Sequence, residues 1–151
     1  MFSATNRSGD SKKTGVDRRL FFLIGLATIF GIGHHLDHII RGNHVGWPLI
    51  PEITVFTYTL FIYPVIAVGV YLTVTDRVGA WYWAIVLGAI LAAVVLTHFG
   101  PWAAEPPRDV IEPYESTAVG YAAFAWLLGL VLSLTGATAD AVYESVISSS
   151  P

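Results

Sequence analysis

The chain has 151 residues, 54% of them hydrophobic and 13% charged, with a net charge of −3 and no cysteine. Soluble domains carry about a quarter charged residues, so this composition excludes an ordinary soluble domain, and the negative balance excludes an electrostatic grip on a nucleic-acid backbone. Without cysteine there are no disulfides, thiolate metal sites, iron–sulfur clusters or cysteine nucleophiles, which leaves chemistry to His, Asp, Glu, Arg, Tyr and Trp.

Residues 1–17 form a polar tail, expected to be mobile and cytoplasmic. Four apolar runs follow, at residues 20–40, 53–74, 80–99 and 116–137, each close to the roughly 20 residues that a membrane-spanning helix needs. The first run follows Arg18-Arg19 but is too long for a signal-peptide core, and it ends in HHLDH rather than at a small-residue cleavage site, so it reads as a retained helix. The second holds Pro64 near its middle, which removes a backbone bond and predicts a kink. Turn chemistry separates the runs: Gly42-Asn43 and Trp47-Pro48, then Asp76 to Gly79, then Gly100-Pro101 and Pro106-Pro107. Residues 140–151 either extend the last helix or lie at the interface as a cytoplasmic tail. The expected fold is all-α: an integral membrane four-helix bundle over residues 18–139, with one longer loop between the third and fourth helices.

Arg7, Lys12, Lys13, Arg18, Arg19 and Arg77 fall on the side of the N-terminus, and only Arg41 and Arg108 on the other. The positive-inside rule then predicts both termini inside, in a cell membrane. Trp81, Tyr82 and Trp83 would form the inner aromatic belt, and Trp47, Trp102 and Tyr114 the outer one. Gly88, Gly120 and Gly129 suit close helix packing.

This topology gathers all five histidines, His34, His35, His38, His44 and His98, at the outer end, together with Asp37, Glu52, Glu105, Asp109, Glu112 and Glu115. Six acids against two arginines make that end net −4, with histidine counted neutral. Within GHHLDHIIRGNH, His34, Asp37, His38 and Arg41 share one helical stripe, because they stand three, four and seven positions apart. A pair of histidines at i, i+4 can place two imidazoles on one metal ion. With the first span centred near Ile29, His34 to His38 stand roughly 8–13 Å above the midplane, and with the third centred near Ile90, His98 stands roughly 12 Å above it. The candidate metal ligands are therefore His34, His35, His38 and His98. Asp37, Arg41, His44 and Tyr58 are candidate supports that orient or neutralise the ligands, and Glu105, Glu112 and Asp37 are candidate general bases or added ligands. The proline-rich loop carrying Glu105 and Glu112 can act as a lid.

The H-x-x-x-H at His34–His38, with His35 beside it, resembles one of the histidine boxes of membrane di-iron desaturases and hydroxylases, over about five residues. Nitrogen and oxygen ligands without sulfur suit zinc, non-haem iron or copper, for a metal-dependent membrane hydrolase or oxidoreductase. Haem b between His98 and His35 or His38, serving electron transfer, is the alternative. A non-catalytic membrane subunit or cation-handling protein is another. No phosphate-binding loop, G-x-G-x-x-G, nucleophile elbow or transporter-type repeat is present. Expected partners are the lipid bilayer, a small or lipidic substrate and, through helix packing, an oligomer, with no nucleic acid.

Overall fold

The computed structural model describes residues 16–42 and 55–148. Every element among them is a helix: α1 (Arg18–Ile40), α2 (Val55–Thr59), α3 (Ile62–Val74), α4 (Ala80–His98), α5 (Pro107–Ile111) and α6 (Thr117–Ser148). Four helical segments are long and apolar enough to cross a membrane: Arg18–Ile40, Thr57–Val74, Ala80–His98 and Thr117–Ile147. Their outward surface is apolar, with Phe22, Val74, Leu96 and Leu132 each at least two-thirds exposed. Only lipid or a packing partner satisfies such a surface, and this is the build of a membrane protein.

α1 starts where Asp17 caps it, accepting from the Arg19 and Leu20 backbone N–H groups at 2.7 and 2.9 Å. α6 is the central element, packed along both α1 and α4, with α5 laid across its beginning. The core between them is Leu20, Ile24, Trp83, Leu87, Leu127, Leu130 and Leu134. α6 does not stop near residue 137. Ala137 and Ala141 stay buried, and Asp140 accepts from Arg19 at 3.2 Å, so packing against the start of α1 draws the helix on to Ser148.

The second span is interrupted one turn before Pro64. A proline at position 64 cannot donate to the Leu60 carbonyl, and its ring crowds that carbonyl. Leu60 and Phe61 accordingly form a turn, with Phe61 N–H donating to the Tyr58 carbonyl and Tyr63 N–H to the Leu60 carbonyl. Trp83, expected in an aromatic belt, is instead fully buried and donates to Thr73 Oγ1 at 2.9 Å, which ties α4 to α3. Gly88 meets only ordinary contact, since an added Cβ would find its nearest neighbour at 3.6 Å. At Gly120 a Cβ would stand 2.2 Å from the Ile111 carbonyl oxygen, so only glycine lets α5 seat on α6.

Candidate metal centre

The last two turns of α1 and the last residue of α4 end at the same level, and three imidazoles meet there. His34 Nε2 lies 3.2 Å from His98 Nε2 and 3.2 Å from His38 Nε2. The ligand atoms of all three lie within 4.8 Å of one another. His34 and His98 are buried and His38 is partly buried. Two nitrogens on one tetrahedral ion, each about 2.0–2.1 Å from it, stand about 3.3 Å apart, which is the spacing of these pairs.

The α4–α5 segment fixes the ring of His98. Glu105 N–H donates to the Thr97 carbonyl at 3.0 Å, folding the chain back over the end of α4. His98 Nδ1 then lies 2.9 Å from the Glu105 carbonyl oxygen, which only accepts, so Nδ1 carries a proton and the lone pair of the neutral ring is the one on Nε2, the nitrogen that faces His34. His34 Nε2 faces two ring nitrogens, and one proton on it can be directed at only one of them. These three side chains are a group that could hold one metal ion.

Charges surround the trio. Glu105 Oε2 lies 3.2 Å from His38 Nε2, and Glu105 Oε1 accepts from Arg41 NH1 at 2.6 Å. Arg41, whose side chain is wholly covered, also donates to Asp37 Oδ2 at 2.8 Å and to the Asp109 carbonyl at 2.9 Å. Tyr114 donates to Asp37 Oδ1. Asp37 and Glu105 against Arg41 leave the pocket net −1 with neutral histidines, which suits a cation.

The remaining candidates lie elsewhere. His35 turns from the trio toward α2 and α3, with Nδ1 2.5 Å from the Tyr63 hydroxyl and Nε2 3.0 Å from Thr59 Oγ1. Asp37 reaches Arg41 and Tyr114. Tyr58 and Glu112 are exposed. His44 and Glu52, the expected mobility of the tail up to residue 15, and the loop at 43–52 lie outside the described residues. Tyr114, expected in the outer aromatic belt, turns its hydroxyl to Asp37 Oδ1, a contact that sequence reasoning missed. Its signal was an intramembrane Asp37 with one oxygen still to satisfy. A second acid group, Asp17, Asp140 and Glu144, gathers at the far end of the bundle, where Arg19 already supplies the positive charge. No family model, no curated protein and no solved structure matches this chain.

Proposed function

We propose that the chain is a membrane-embedded metalloprotein, with His34, His38 and His98 holding one transition-metal ion at the outer membrane face. Three protein ligands leave a fourth tetrahedral position for water or substrate. Glu105, held by Arg41 and 3.2 Å from His38 Nε2, is the candidate base, so the favoured activity is metal-assisted hydrolysis. Iron or copper in the same donors would serve an oxidoreductase instead. The observation that carries the reading is the gathering of three imidazoles whose ligand atoms lie within 4.8 Å of one another, with His34 Nε2 3.2 Å from Nε2 of each of the other two.

The haem alternative is disfavoured by the position of His34. It touches both His38 and His98, in the space that a macrocycle between those two rings would need. Elemental analysis of purified protein decides the matter. One metal ion per chain is expected in the wild type and in His35→Ala, and little or none in His98→Ala or His38→Ala. Unchanged metal content in His98→Ala would end the proposal.

A further inference from the structure

An apolar crevice runs below the histidines, between α1, α3, α4 and α6. Trp83 and Tyr82 of α4 hold α3 by donating to Thr73 Oγ1 and the Val65 carbonyl, and His35 of α1 reaches the Tyr63 and Thr59 hydroxyls beside the metal centre. α1 offers Gly31 to the crevice, where an added Cβ would have nothing nearer than the Tyr63 hydroxyl at 3.9 Å. Ile24, Ile66, Ile90 and Leu134 are among the wall residues. The one polar side chain low in the crevice, Thr28, spends its hydroxyl on the Ile24 carbonyl at 2.8 Å. Polar groups gather only at the top, where His34, His35 and Tyr63 close it. From Ile24 to His35 the crevice follows roughly 16 Å of helix.

We infer that this crevice takes the alkyl chain of a single-chain amphiphile whose oxygen-bearing head reaches the histidines, so that the substrate of the site is a lipid. The inference rests on the metal-centre reading for what happens at the head, but the chain site stands on its own walls. A water-filled crevice would need polar partners along its length, and a peptide would bring backbone groups that these walls cannot satisfy. A hydrocarbon chain needs neither, and the surrounding lipid supplies it. The shared wall residue His34 joins crevice and centre into one continuous site.

The test uses the full chain in phosphatidylcholine nanodiscs and dodecanoic acid carrying a diazirine at its terminal carbon. Illumination should label the lower wall, at Ile24 or Leu134. Excess unlabelled dodecanoate should suppress that labelling, and acetate should not. Gly31→Leu, which fills the space left by the missing side chain, should bring the labelling to background while metal content stays that of the wild type. Ile66→Trp should do the same from the opposite wall, so the outcome does not hang on the folding of one variant. Labelling spread over Phe22, Leu96 and Leu132 without competition would overturn the inference, as would wild-type labelling in both variants. Competed labelling in a protein free of metal would uphold the chain site and sink the metal reading; metal with uncompeted labelling would do the reverse.

Discussion

Arg41 holds the charges of the candidate site together. Its guanidinium joins Asp37 on its own helix to Glu105 and the Asp109 carbonyl from the α4–α6 connection, and Tyr114 completes Asp37 from the other side. Burial, and then the bond to Asp37, push the Tyr114 phenol up to about 12. The unfolded phenol titrates near 10. The bond's contribution is therefore complete below about pH 10 and is lost as pH rises through about 12. Tyr114→Phe should destabilise the protein by about 1.5–3 kcal/mol, the range for a hydrogen bond to a charged group. The difference in Tm from wild type should be constant between about pH 7 and 9 and shrink above about 10. A difference that grows with alkaline pH would refute this role. The sequence placed His34, Asp37, His38 and Arg41 on one stripe because helical periodicity alone decides that. It could not send His35 to Tyr63, because the partner depends on how α3 leans.

At the level of elements, α5 does more than connect. Its seat on α6 holds the segment that carries Glu105, and Glu105 holds both His98 and Arg41. Gly120→Ala would press a methyl group against the Ile111 backbone, and backbone yields only if α5 moves. The expected cost is about 1–3 kcal/mol, with weakened metal binding although no ligand is changed. Gly88→Ala, at an ordinary contact of 3.6 Å, should leave both stability and metal affinity near wild type. Metal titration and thermal unfolding of the two variants check this; equal behaviour would show that the α5 seat is irrelevant to the centre. Composition and run length made four apolar helices legible. The break at Leu60–Phe61 was half legible, since Pro64 announces a defect but the carbonyl one turn earlier receives it. The helical turn at α5 was not legible, because a proline-rich loop is pinned by contacts with distant Gly120 and Arg41.

Across the whole molecule, α6 packs along both α1 and α4, the two arms that carry the histidines. The basic residues assigned to the N-terminal side predict that Asp76 and the C-terminus face the cytoplasm and Glu105 the exterior. Reporter fusions at these three places should read inside, inside and outside; an exterior reading at Asp76 would put the centre on the cytoplasmic face. The same architecture gives the histidines a mechanical meaning. His34 and His98 are 64 positions apart in the chain, so an ion gripped by both is a cross-link that closes a long loop. For a freely jointed chain such a closure is worth about 4 kcal/mol, an upper limit here because inserted helices have less freedom to lose. Cofactor and tether would then be one object, and chelation would slacken α1 from α4 while each helix stayed intact in the bilayer.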